Sequence, residues 1–154
     1  MTLNLLINIH CPSENTVRLR NAVVEGASHP DISNIDIRTT QPLSTTVEDV
    51  LWADAIILGT TENFGYMSGA MKDFFDRTYY PCLEKKEGLP YAIAIRAGLD
   101  GTGTRIGMEK IITGLKWKAI QAPLISKGDF KEEFIQDWQE LGMTVAAGLE
   151  AGIY

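Results

Sequence analysis

Cysteine and histidine are scarce in this chain of 154 residues, with two of each. Cys11 and Cys82 lie far apart and fall in no CxxC or Cys/His pattern. Neither a disulfide framework nor a zinc site is expected, and a reduced, cytoplasmic setting is the simplest reading. With only His10 and His29, a metal centre of several imidazoles is excluded and a Ser-His-Asp triad has little to draw on. No metal ligand and no catalytic side chain is assigned. Positive charge is short as well: the net charge is −6, and residues 128–154 hold six acids against Lys131 alone. Without a basic patch, nucleic acid is not an expected partner. No apolar run approaches the length of a membrane span. Met1–His10 has no basic start and no small-residue cleavage site, so it does not read as a signal peptide. Repeats and low-complexity stretches are missing too.

What remains is a chain rich enough in apolar residues, at 45 %, to build a core covered on two sides, and it is read as one domain over residues 1–154. Short β-type runs alternate with helical patterns from end to end, the signature of a parallel sheet covered by helices. Strands are expected at Leu3–Ile9, Ile32–Ile37, Ala53–Leu58, Tyr91–Arg96 and Ala119–Ile125, the last uninterrupted. Helices are expected at Asn15–Ala27, Val47–Trp52, Met67–Tyr80, Thr104–Leu115 and Lys131–Ala151. In the third, Met67, Ala70, Met71, Phe74, Phe75 and Thr78 form the inner face. In the last, Phe134, Trp138, Leu141, Val145 and Leu149 form one stripe. This order fits an α/β doubly wound, five-stranded parallel sheet of order 2-1-3-4-5. Its ligand crevice opens beyond the carboxyl ends of the strands, between the first and third. Pro123 lies in the fifth strand, and that order puts the fifth strand at an edge, where proline is tolerated.

Three loops would meet at that crevice. After the first strand, His10–Thr16 runs into a helix with a polar first turn. Ser13, Asn15 and Thr16 either join the exposed N–H groups there in an anion site suited to a phosphate, or only cap the helix. His10 stands at the crevice or packs at the strand end. After the third strand, Phe64 and Tyr66 beside Gly65 offer flat apolar surface suited to a planar ring, unless they are pinned to the core. After the fourth comes Arg96–Arg105, with Gly101-Thr-Gly103; Ile106 stands where a GxGxxG fingerprint needs its last glycine, so that fingerprint is not met. A tyrosine-phosphatase-type loop fails because six residues separate Cys11 from Arg18 and Leu19 follows. A receiver-type carboxylate cluster fails because Asn8, His10 and Cys11 stand where acids are needed.

The segment Gly59-Thr60 through Phe64-Gly65-x-Met67-Ser68-Gly69-x-Met71-Lys72-x-Phe74 resembles the GTP-x-x-FG-x-MSG-x-hydrophobic-K/R-x-F segment of flavodoxin-like FMN proteins. Within them it is most similar to the NAD(P)H-dependent FMN oxidoreductases and quinone reductases. The resemblance implies a flavodoxin-like three-layer sandwich of the short type and a bound FMN. In that family the first loop wraps the FMN phosphate; Cys11, Ser13, Asn15 and Thr16 fall on its positions, with Glu14 in place of a glycine. Phosphate charge there is balanced by backbone N–H groups and helix dipole rather than by an obligatory lysine. The second loop, Thr60, Thr61, Glu62, Asn63, Phe64 and Gly65, corresponds to the segment lining the ribityl chain and the ring, with Thr61 where proline is usual. The third, with Ala97, Gly98, Leu99 and Gly101, corresponds to the wall at the pyrimidine end of the ring.

The expected function is thus an FMN-binding oxidoreductase that takes electrons from NADH or NADPH and delivers them to a quinone or other small acceptor. One alternative is a flavodoxin-type carrier that exchanges electrons only with redox proteins; another is a flavin-free scaffold, which Glu14 and Thr61 keep open. Arg96 and Arg105 are candidates to meet a nicotinamide nucleotide's 2′-phosphate. Relatives commonly pair beside the flavin, so a homodimer is expected, with Tyr79-Tyr80-Pro81 the suspected apolar surface.

Overall fold

The first strand feeds two cores at once. In Leu3–Ile9 (β1), Leu5, Ile7 and Ile9 join one apolar cluster and Leu6 the other, because successive side chains in a strand point to opposite faces. Such near-continuous apolar runs are what a parallel sheet covered on both faces requires.

The computed structural model describes residues 1–154. After β1 come α1 (Glu14–Ala27), β2 (Ile35–Thr40), a 3-10 turn at Pro42–Ser44, α2 (Val47–Trp52), β3 (Ala55–Asn63), β4 (Tyr66–Met67) and α3 (Gly69–Cys82). The chain continues through β5 (Pro90–Ala97), α4 (Thr102–Leu115), β6 (Lys118–Ala119), β7 (Leu124–Lys127) and α5 (Glu133–Ala151). The sheet order is β2-β1-β3-β5-β6, with β7 also on β5 and β4 folded back on β3. Every pairing is parallel except β3 with β4. One face packs on α2, α3 and α4 through residues such as Val50, Met71, Phe74, Phe75, Met108 and Ile112. The other packs on α1 and α5 through Leu19, Val23, Phe134, Trp138, Leu141 and Val145. Burying each such side chain stabilises by about 1.5–3 kcal/mol. The structure is therefore the expected α/β three-layer arrangement with a parallel sheet.

The expected strand count is corrected from five to seven. The fifth strand is not uninterrupted: it pairs with β5 at Lys118–Ala119, leaves the ladder, and rejoins it at Leu124 opposite Ala94. Pro123 has no N–H to give the ladder and lies in the gap. The remaining strand is the short β4, which pairs Glu62 with Met67 and Asn63 with Tyr66. The second strand also starts later than expected. Asn34, at φ +63°, closes a turn first, and pairing Leu3 with Ile35 through Asn8 with Thr40 carries β2 to Thr40. In α3, Ser68 caps the helix by accepting the Met71 N–H at 3.1 Å, so Met67 is buried from β4, and Ala70 is only half-buried.

α1 and α5 cross in backbone contact. A Cβ on Gly26 would lie 1.9 Å from the Gln139 carbonyl oxygen, and one on Gly142 would lie 2.0 Å from that of Val23. The buried Trp138 indole donates to Ser126 Oγ at 3.0 Å, fastening α5 to β7. These contacts fix the end of α5, and with it Phe130 and Phe134, close to the carboxyl ends of β5 and β7.

Candidate functional site

The turn from β1 into α1 is closed by a reciprocal cap. Ser13 Oγ accepts the Thr16 N–H at 3.3 Å, and Thr16 Oγ1 accepts the Ser13 N–H at 2.9 Å. The hydroxyls of Ser13 and Thr16 are thereby engaged in the cap. The side chains cap, while the N–H groups of Glu14 and Asn15 have no partner within the helix and sit at its positive end. Glu14 is exposed and does not line the cleft described below, so its carboxylate is kept out of that space. Burial holds the Cys11 thiol above its usual range, which keeps it protonated rather than nucleophilic; burial also lowers the pKa of His10, which favours the neutral imidazole.

The second loop is a tight hairpin. Phe64 and Gly65 both have positive φ, +54° and +74°, as a two-residue turn of the mirror-image type requires. The Phe64 side chain is left fully in solvent, at 109 % relative exposure. Tyr66 is turned the other way: a Cβ on Gly107 of α4 would lie 2.5 Å from its ring, so the ring is seated on that helix. The hairpin tip also meets α4, since a Cβ on Gly103 would lie 2.0 Å from the Gly65 carbonyl oxygen. Thr60 is buried and accepts the Ser68 N–H at 3.0 Å, a bond that ties the loop to the start of α3. Thr61 Oγ1 donates to Asn63 Oδ1 at 2.8 Å.

The third loop, Gly98–Gly101, is strapped to the second. One oxygen of Glu62 accepts the Leu99 N–H at 2.8 Å and the other the Gly101 N–H at 2.9 Å. Asp100 accepts the Thr102 N–H at 3.0 Å, and that bond holds its carboxyl below the ordinary range. Gly101 takes φ +72° at the start of α4, while a Cβ on Gly98 would project into open space.

The three loops share a cleft of about 300 Å³, lined by Ser13, Asn15, Thr16, Thr61, Glu62, Gly98, Arg96 and Phe130. Of the expected residues it therefore brings together six. Cys11, Glu14, Thr60, Asn63, Phe64, Gly65, Ala97, Leu99 and Gly101 stand around or beneath it: Thr60 and Ala97 are buried, whereas Phe64 and Leu99 are exposed at loop tips. Sequence reasoning missed Phe130, which arrives from the turn before α5 and carries no local signal. Arg96 was considered for a different anion, and Arg105 does not join it: Arg105 pairs with Glu109 at 3.0 Å along α4. A second groove of about 330 Å³ lies between α3 and α4, but none of the three loops contributes to it. Tyr79 there packs over Gly114, while Tyr80 and Pro81 are exposed.

A phosphate ester and a planar ring suit this donor set. Free N–H groups and an arginine meet the first; an open glycine and an exposed aromatic residue meet the second. Against the ring, the Leu99 and Gly101 N–H groups are already taken by Glu62.

Comparison with known proteins agrees with this geometry. A family model described as NADPH-dependent FMN reductase matches residues 16–126, which takes in the second and third loops and begins at the end of the first. A flavodoxin of Aquifex aeolicus (strain VF5) is 31 % identical over 101 residues, covering 66 % of this chain and 54 % of that protein. The chain thus spans about half the length of that relative. Among solved structures, a flavodoxin from the domain Archaea superimposes with a TM-score of 0.80 at 18 % identity, over 96 % of this chain and 99 % of that one. A WrbA-like flavodoxin from Agrobacterium tumefaciens gives 0.73 at 17 % identity, over 95 % and 96 %. At such identities the likeness establishes the fold, which is flavodoxin-like. No helix is long and apolar enough to cross a membrane.

Proposed function

The chain belongs to the NADPH-dependent FMN reductase family, and on that footing we propose that it is an FMN-binding oxidoreductase that moves electrons from NADH or NADPH to a quinone or other small acceptor. The observation that carries the reading is the meeting of three loops, from the ends of β1, β3 and β5, on one cleft with phosphate-type donors.

The N–H groups of Glu14 and Asn15 would hold the phosphate, and Asn15, Thr61 and Gly98 would border the rest of the nucleotide. The fully exposed Phe64 would cover a face of the ring. Bound FMN would supply the redox chemistry, while the protein sets its orientation and its electrostatic surroundings. Burial favours the neutral imidazole of His10 and the protonated thiol of Cys11, in keeping with a reaction in which neither side chain transfers a group.

A second reading, an electron carrier served only by redox proteins, draws support from the net charge of −6 and from the relative named as a flavodoxin. One experiment separates the two. The purified protein is soaked with FMN, desalted, and titrated anaerobically with NADH and then NADPH while the visible spectrum is recorded. Retained flavin that bleaches supports the reductase and names its donor. Retained flavin that stays yellow supports the carrier, and loss of flavin on desalting refutes both.

A further inference from the structure

Arg96 differs from the other arginines in lining a cleft without a carboxylate partner of its own. Arg18, Arg38, Arg77 and Arg105 each pair with a carboxylate, and Arg20 bonds to Asn21. Arg96 has no acidic partner at all. Its Nη1 donates to the Ala97 carbonyl at 2.9 Å and to that of Ser126 at 3.1 Å, and its guanidinium lies 5.1 Å from the Phe134 ring centre and 5.8 Å from that of Phe130. Two carbonyls and two aromatic rings fix the group without neutralising it. Partly withdrawn from water, a cation held this way retains donors and a full charge for something else.

The place it faces narrows the choice. Arg96 lines the same cleft as Ser13, Asn15 and Thr16 at the start of α1. A chain carrying −6 overall has thus kept one uncompensated positive group beside free N–H donors. Glu62, the acid that shares the cleft, is committed to the Leu99 and Gly101 N–H groups and makes no ion pair with it.

Building on the FMN reading above, we propose that Arg96 is the cationic partner of the flavin's phosphate monoester, and that it makes this chain discriminate FMN from riboflavin. Charge balance for the phosphate then comes from the end of β5, outside the loop that wraps it. A hydrogen bond to a charged group at a partly exposed site corresponds to roughly tenfold in affinity.

The test is a fluorescence titration of the full-length apoprotein with FMN and, separately, with riboflavin, for wild type, R96Q and R96K, alongside thermal unfolding. The expected result is a roughly tenfold loss of FMN affinity in R96Q with riboflavin affinity unchanged, while R96K, which keeps the charge, largely retains the preference for FMN. Equal losses on both flavins in R96Q, or no loss on FMN, would overturn the proposal, because Arg96 would then only fasten β5 to β7. If R96Q does not fold, R96M, which keeps the length of the stem and drops the charge, decides by the same criteria: a loss on FMN alone supports the proposal, and equal losses on both flavins, or no loss on FMN, overturn it. Wild type that binds neither flavin refutes the underlying FMN reading, an outcome distinct from wild type that binds FMN regardless of residue 96.

Discussion

Phe64 holds a conformation that its side chain does nothing to justify in the free protein. At φ +54° it stands in the left-handed region, followed by Gly65 at +74°, the turn for which Asn-Gly is the favoured pair. A residue with a Cβ pays about 1–2 kcal/mol there, and asparagine is one of the few side chains that enters it readily. No packing offsets the cost, since the ring is 109 % exposed. Phe64→Asn should therefore stabilise the flavin-free protein by about 1 kcal/mol, or roughly 2–4 °C in Tm for a chain of this size. The same substitution removes the exposed aromatic face that the tip of the second loop offers to a planar ring. Stacking of an aromatic side chain on a flat heterocycle is worth about 1–3 kcal/mol, so FMN affinity should fall at least roughly fivefold. Urea unfolding of the desalted protein and fluorescence titration with FMN measure the two effects separately. An apoprotein no more stable than wild type would refute the strain argument. Higher stability with unchanged FMN affinity would show that the ring plays no part in binding.

Three further outcomes are expected. Gly98→Val places a branched side chain in open space at a position of ordinary φ, so FMN binding should drop by roughly tenfold or more while Tm stays within about 2 °C; unchanged binding would put the ring elsewhere. Glu62→Ala frees the Leu99 and Gly101 N–H groups, so hydrogen exchange of both amides should speed up by roughly tenfold or more; protection equal to wild type would mean that the strap is not what orders the loop. His10 has its pKa lowered by burial from the ordinary 6.5. As pH falls below that value the unfolded chain takes up a proton that the folded state resists, so stability declines until the folded group also titrates. His10→Gln should flatten that part of the profile in urea unfolding from pH 7.5 to 5, and an identical slope would exclude this histidine as its source.

The alternation of elements was legible because β1, β3 and β5 are buried on both faces and read as apolar runs. The helix start at Ser13 was marked by a capping residue. Illegibility came from effects that no local pattern carries. The register of β2 is imposed by β1, which draws Arg38, Thr39 and Thr40 into the ladder although only Ile35 and Ile37 look like strand. The hairpin after β3 lacks the usual Asn-Gly signal, because phenylalanine occupies the first turn position. At the site, the first loop could be read as capping or as anion binding; the Ser13 and Thr16 side chains cap, and the backbone N–H groups of Glu14 and Asn15 are left without a partner in the helix. Glu62 lines the cleft and also straps the third loop, a contact between distant loops that no local pattern carries, while Phe130 reaches the cleft from the turn before the last helix.

The break in the outer strand has a consequence for how copies of this chain meet at high concentration. A free sheet margin invites another molecule to add a strand, and the hazard grows with the length of unbroken backbone on offer. Here that margin is divided into segments of two and four residues by a proline-containing gap. An incoming strand would find no continuous row of donors and acceptors to copy. Self-association by strand addition is thereby discouraged along this side, and any ordered assembly is steered toward the helical layers or toward the opposite margin at Ile35–Thr40.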